Sequence, residues 1–328
     1  MTAPRRILII QLRRIGDVIL TTPALRALKS RYPQAEIDFL VEEPGMQALA
    51  GNPDISRILV YHGGPWQTWA WLWRARCLGY DWVIDYLGNP RSALLTAVSG
   101  AVVRAGYART THRWAYNHLL VQPEKSVYTG LEKILVLKSL GVEVEGQDFM
   151  PRVFLASKPA QPENLIGLSP TSRKVTRRWP PASFAELGRL LRERFGCRIV
   201  VFWGPGERAL AEETAAAIGL GARVCDPTPQ LADAARELVR CRLLVTNCNG
   251  LKHLAVASGV PTVTVHGSSD PASWTPPHPD HASVRLDELF CIACRLNVCP
   301  RHLECFKDLS PQRVLAAVSS LLERVPAP

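Results

Sequence analysis

The segment Leu243-Leu244-Val245-Thr246-Asn247-Cys248-Asn249-Gly250-Leu251-Lys252-His253-Leu254-Ala255, residues 243–255, decides how the second half of the chain folds. Its first three residues form an apolar run without polar alternation, the pattern of a parallel strand buried on both faces. The polar turn that follows therefore stands at the strand's carboxyl end. Gly250 reads as the point where the backbone bends into a helix over 251–258, whose unpaired first-turn amides favour an anion. A second strand over 261–266 opens into Gly267-Ser268-Ser269, small residues suited to close approach by a phosphate or a sugar. Two such turns side by side point to a nucleotide diphosphate.

Size and charge narrow the class. At 328 residues the chain can fill two cores. Its 47% hydrophobic and 21% charged residues are those of a globular protein. No apolar run has the length of a membrane span, and residues 1–6 run into a strand without a signal-peptide pattern, so a cytoplasmic protein is expected. The net charge is +10, carried by 31 arginines and 8 lysines scattered along the chain. With no helix-turn-helix, zinc-finger or RNP signature, an anionic small molecule or lipid suits this charge better than nucleic acid.

Residues 5–11 read as a strand, 12–17 as the turn leaving it, and Thr22-Pro23 as the cap and first residue of an amphipathic helix. The turn Leu12-Arg13-Arg14-Ile15-Gly16-Asp17 has one glycine and then a carboxylate. It lacks the G-x-G-x-x-G of dinucleotide sites, which speaks against a Rossmann oxidoreductase. Asp17 suits proton acceptance better than holding phosphate, although capping is the commoner role of a lone aspartate at a helix start. Strands over 36–41, 57–62, 81–87 and 102–107 alternate with helices, as in a doubly wound sheet. Trp66, Trp69 and Trp73 share one helical face, for which core packing is expected over a membrane-interface role. Arg104, Arg109, His112 and Arg113 come at and after the last of these strands and are candidates for acceptor phosphates, together with Arg13 and Arg14.

A helix over 129–140 and a proline-dotted linker over 141–164 divide the chain into domains 1–155 and 156–328. In the second, a strand over 165–169 leads into Pro170-Thr171-Ser172-Arg173-Lys174-Val175-Thr176-Arg177-Arg178-Trp179-Pro180. Cations and hydroxyls in one turn suit a departing diphosphate, with Thr171, Ser172, Arg177 and Arg178 as the candidates. Later, Cys291, Cys294, Cys299 and Cys305 place four of the nine cysteines within fifteen residues. That spacing fits a tetrahedral zinc site or two bridges, and reducing cytoplasm favours a structural zinc, with free thiols next.

The pattern N-x-N-G-x-K-H-L-A-x-A-x-G-x-P over 247–261, continued by G-x-x-D-P-x-x-W-x-P-P over 267–277, resembles the donor-binding region of the ADP-heptose:lipopolysaccharide heptosyltransferases, glycosyltransferase family 9. The resemblance covers nearly the whole chain. It implies two Rossmann-like domains facing across a cleft, the GT-B fold, and inverting sugar transfer without a catalytic metal. By the same resemblance the donor is ADP-heptose and the acceptor the inner core of lipopolysaccharide, met at the inner face of the cytoplasmic membrane. Gly16-Asp17-Val18-Ile19 with Pro23 matches the family's N-terminal motif, which makes Asp17 the general base. Arg177 stands at the lysine of the K-x-W-P motif. Gly204 and Glu207 match the turn against the nucleoside, with the 224–230 segment beside adenine, while Asn249, Gly250, Lys252, His253 and Gly267 match the donor turns. Cys248 stands where many members have aspartate on the sugar hydroxyls, so another nucleotide sugar, or binding without turnover, are the alternatives.

Overall fold

The computed structural model describes residues 3–155 and 162–324. It divides into two compact units, Met1–Phe154 and Leu155–Pro328. The expected start of the second domain at residue 156, and Pro159 of the expected linker, lie outside the described residues.

The first unit holds strands β1 (Arg6–Ile10), β2 (Glu36–Val41), β3 (Arg57–Val60), β4 (Trp82–Asp85), β5 (Val103–Tyr107) and β6 (His118–Leu120). They form one parallel sheet in the order β3-β2-β1-β4-β5-β6. Because β1 is flanked by β2 and β4, chain progression reverses beside it, and the loops leaving β1 and β4 open onto the switch point where ligands collect in such sheets. Ile10 stands in register with Leu40 and Asp85, which aligns these carboxyl ends. The helix Thr22–Arg31 starts one residue before the expected Pro23: Thr22, expected as the cap, is its first residue, the cap position is Thr21, and no side chain caps it. The two hydroxyls instead donate back to the preceding turn, Thr21 to the Asp17 carbonyl (2.7 Å) and Thr22 to that of Ile19 (2.8 Å).

The helix Pro65–Cys77 departs from expectation. Trp66, Trp69 and Trp73 do share one face, but that face is 86%, 69% and 73% exposed. Trp71 and Ala75 occupy the buried side, where Trp71 joins Leu8, Ile10, Leu59 and Tyr61 in the core. One indole fills the space over the sheet, so the other three point outward. The expected helix over 129–140 tightens midway from Thr129–Leu135 into a 3-10 turn, Val136–Leu140, and stops at Gly141 with φ 72°.

The second unit repeats the plan with β7 (Glu163–Ser169), β8 (Arg198–Val201), β9 (Ala222–Val224), β10 (Cys241–Asn247), β11 (Thr262–Val265) and β12 (His281–Val284). This parallel sheet runs β12-β11-β10-β7-β8-β9, the same winding, with its switch point between β7 and β10. All seven residues of β10 are buried, as an apolar run without alternation requires. The 15-residue helix Pro181–Phe195 and the helix Pro311–Leu322 cover the sheet, the latter through Val314, Val318 and Leu321.

Three buried histidines of this unit stay neutral. Burial drives His253 and His266 well below the ordinary imidazole range and pushes His281 down to about 3. The unfolded chain therefore takes up protons first as the pH falls through about 6.5, at a cost of about 1.4 kcal/mol per pH unit for each such histidine. The urea midpoint is expected to hold between about pH 6.5 and 8 and to fall between about pH 6.5 and 5. A flat profile across the lower window would contradict the burial of these rings.

Candidate functional site

Two loops leave the switch point of the second sheet, the basic loop after β7 and the turn after β10, and two asparagines join them. Asn247 accepts from the Trp179 N–H (2.9 Å) and donates to the Pro170 carbonyl (2.9 Å). Asn249 donates to the Thr171 carbonyl (2.9 Å) and to Ser169 Oγ (3.0 Å). Its Oδ1 accepts from the Lys252 N–H (3.0 Å), which caps the helix Gly250–Ala257. Trp179 is fully buried and anchors the far end of the loop by donating to the Leu309 carbonyl (3.1 Å).

Gly250 is exposed at the first turn of this helix, and a Cβ built there would meet nothing within 4 Å. Its backbone does not need glycine's conformational freedom, so the expected sharp bend is not why it is glycine. What glycine leaves at this point is open space beside first-turn amides. The Arg177 guanidinium lies 5.9 Å above the Trp274 ring, and the His253 ring stands 5.8 Å from the same indole. Trp274 thus joins the basic loop to the capped helix. Thr171 and Ser172 are buried in the loop between them.

Several candidates take other places. Lys252 is wholly buried and turned into the domain, donating to the Trp274 carbonyl and to Thr275 Oγ1 (3.2 Å); burial pushes its ammonium down to about 8. It braces the Trp274 turn instead of reaching a ligand. Arg178 donates to the Ser172 carbonyl (3.2 Å) and holds the loop closed. Gly267 is buried, and a Cβ there would come within 2.5 Å of Phe306 and 2.9 Å of Cys305 Sγ, so the cysteine loop, not a ligand, requires glycine. Cys248 is buried as a free thiol. Glu207 precedes the helix Arg208–Ile218 and accepts from the Gly204 N–H (3.3 Å), closing the turn that was matched to the nucleoside. Of the 224–230 segment, Val224 belongs to β9 instead.

In the first unit Asp17 lies in the short helix Ile15–Ile19 beyond β1, with Gly16 before it. Its carboxylate accepts a long bond from the Arg14 N–H (3.4 Å). A residue that sequence reasoning missed stands beneath it. Lys133, buried in the helix Thr129–Leu135, donates to the Asp17 carbonyl (2.9 Å), Gln11 Oε1 (2.9 Å) and Thr21 Oγ1 (2.5 Å). Burial pushes its ammonium down to about 8, while the negative charges of Asp17 and Glu132 act the other way. Nothing in the sequence separates this lysine from a solvated one except the apolar neighbours of its helix.

Arg13 pairs with Glu42 (3.6 Å) and Arg14 is exposed beside it. Arg109, His112 and Arg113 follow the carboxyl end of β5, where Arg109 donates to Gln122 and Arg113 to the Ala108 carbonyl (3.0 Å). Arg104 does not join them: it sits near the amino end of β5 and donates to the Ala101 carbonyl (2.9 Å) before that strand begins.

The four loop cysteines are free thiols, and among the described residues no three His, Cys, Asp or Glu side chains are grouped to hold a metal ion. Burial pushes Cys305 up to about 11, with the neighbouring Cys299, Cys291 and Cys294 adding to it. Ala293, Arg295, His302 and Leu303 all have φ between 50° and 63°, a strained backbone for side-chain-bearing residues. The loop hydrogen-bonds to the switch-point turns, Ala293 N–H to the Gly267 carbonyl (2.9 Å) and Thr176 Oγ1 to the Leu296 carbonyl (2.9 Å).

Residues 69–303 match the profile of glycosyltransferase family 9 (heptosyltransferase). The chain belongs to this family. It is 29% identical to lipopolysaccharide heptosyltransferase 1 of Pseudomonas aeruginosa over 97% of this chain and 98% of that one. Among solved structures it is similar in fold to a family 9 glycosyltransferase from Veillonella parvula, with a TM-score of 0.83 and 24% identity over 97% of both chains. It is similar also to Escherichia coli heptosyltransferase WaaC with ADP-2-deoxy-2-fluoro heptose, with a TM-score of 0.74 and 24% identity over 96% of this chain and 99% of that one. The two wound sheets are those of the GT-B class, and family membership carries sugar transfer as the general reaction.

Proposed function

We propose that the chain transfers heptose, with inversion, from ADP-heptose to the inner core of lipopolysaccharide, working in the cytoplasm at the inner face of the membrane. The observation that carries the donor assignment is the joining of the basic loop to the capped helix through Asn247 and Asn249. It ties Thr171 to the helix start before Gly250, with Ser172 next in the same loop and Arg177 over Trp274. A departing diphosphate gathers negative charge, and fixed amides, hydroxyls and a guanidinium stabilise it more in the transition state than in the ground state. That supply of positive charge means no step requires a divalent cation. Glu207 is assigned to the ribose hydroxyls and His253, neutral at physiological pH, to a sugar or phosphate hydrogen bond.

Asp17 is assigned the proton of the attacking hydroxyl, and Lys133 fixes the backbone that presents it. Arg13, Arg14, Arg109 and Arg113 are assigned to the acceptor's phosphates. Asp17→Asn is expected to lower turnover at least about a hundredfold, the usual scale for losing a general base, with ADP-heptose affinity nearly unchanged. Lys133→Met is expected to slow turnover, again without loss of donor affinity, and to remove a fall in wild-type rate above about pH 8 that marks deprotonation of the ammonium. Stopped-assay release of ADP with a lipopolysaccharide-core acceptor reads both. Wild-type rates in Asp17→Asn would remove it from the mechanism, and donor binding without release of ADP by the wild type would make the chain a binding protein.

For the cysteine loop the reading is a structural zinc outside the chemistry. The four cysteines fall within fifteen residues, on a strained loop that a fourfold thiolate site would hold in place. As they stand they are not gathered into a ligand set. Elemental analysis of protein purified without added metal is expected to give about one zinc per chain; protein free of zinc, with all thiols titratable, would contradict it.

A further inference from the structure

The helix Pro65–Cys77 is apolar on two opposite faces, one against the sheet and one exposed. At 100° per residue Trp66, Trp69 and Trp73 fall on one stripe with Ala70 and Cys77, and all five are exposed. Trp71, Leu72 and Ala75 form the opposite, sheet-facing side. Arg74 and Arg76 flank the stripe, one on each side, and the helix contains no aspartate or glutamate. Three indoles of about 150–250 Å² each make an apolar patch as large as those that mark interaction sites on soluble proteins. The surface extends sideways: the helix packs on Pro90–Val98, which packs on the turn Arg113–Ala115, where Trp114 is 64% exposed next to Arg113.

We propose that this face docks the first domain onto an anionic bilayer, with the three indoles seated at headgroup depth. Indoles prefer that zone because the ring is apolar and its N–H is polar. Each flanking arginine near the surface adds attraction to anionic lipid, and no carboxylate on the helix itself opposes it. A second copy of the chain suits the face less well, since a two-fold pairing would set Arg74 and Arg76 against themselves. The proposal rests on the reading of a lipid acceptor only in giving the docking a purpose; the binding itself needs no sugar transfer.

Cosedimentation with vesicles of phosphatidylethanolamine and about 30% phosphatidylglycerol tests it. The wild type is expected to bind these and to leave vesicles of pure phosphatidylcholine largely uncovered. The triple variant Trp66→Ser, Trp69→Ser, Trp73→Ser is expected to bind at least about tenfold more weakly. Because the three side chains are exposed, its circular dichroism and ADP affinity should match the wild type. Binding by the variant equal to wild type overturns the proposal, as does a wild type that binds neither vesicle. A wild-type dimer that the three substitutions dissociate would overturn it too, by giving the face to a second copy. Transfer to a soluble, deacylated acceptor separates the two claims: if it proceeds while vesicle binding ignores the tryptophans, only the docking falls. If it fails while the tryptophans govern vesicle binding, only the assigned reaction falls.

Discussion

Two carboxamides, Asn247 fully buried and Asn249 partly so, hold the second domain's working edge together. Asn247 ends one strand and Asn249 follows it, and between them they bond the first residues, the end and the strand root of a loop that follows another. Each uses both its acceptor and its donors, which neither aspartate nor leucine could do in the same space. A buried amide left half-bonded costs about 1–3 kcal/mol, so the loop and the helix cap form or break together. The placement of Arg177 follows, because its loop is pinned at Pro170, Thr171 and Trp179 while the guanidinium lies over Trp274.

Much of this could be read in the sequence, because parallel strands buried on both faces write themselves as apolar runs. β1, β2, β7, β8, β10 and β11 stand where such runs occur, and the polar turns after β1, β7 and β10 became the candidate sites. The short edge strands β6, β9 and β12 were not legible: three or four residues, half of them polar or exposed, carry no periodicity. Helical spacing grouped Trp66, Trp69 and Trp73 correctly, but a period says which residues share a face, never which face meets the sheet. Trp71 decided that by filling the space first.

The site residues divide in the same way. The polar turns at strand ends, such as the basic loop, follow from local pattern, whereas the caps do not: Thr22 reads as a cap and is not one, while Asn249 caps without being read as one. What a side chain does once buried depends on partners distant in sequence. Lys252 looks like a ligand-binding cation beside His253, yet its ammonium braces the Trp274 turn. Lys133 looks like one more helical lysine, yet it lies under Asp17 through contacts more than a hundred residues away in the chain. Neither Gly250 nor Gly267 is required for its expected reason: the first leaves room open, while the second makes room for Phe306. Cys248, where many relatives in the resemblance carry a carboxylate, is a buried free thiol.

The most direct test is a crystal structure of the full chain with ADP. The diphosphate is expected against the first-turn amides at Gly250, within hydrogen-bonding reach of Thr171 or Ser172 and paired with Arg177. A diphosphate bound instead at Arg13 and Arg14 of the first domain would contradict the division of the chain into a donor half and an acceptor half.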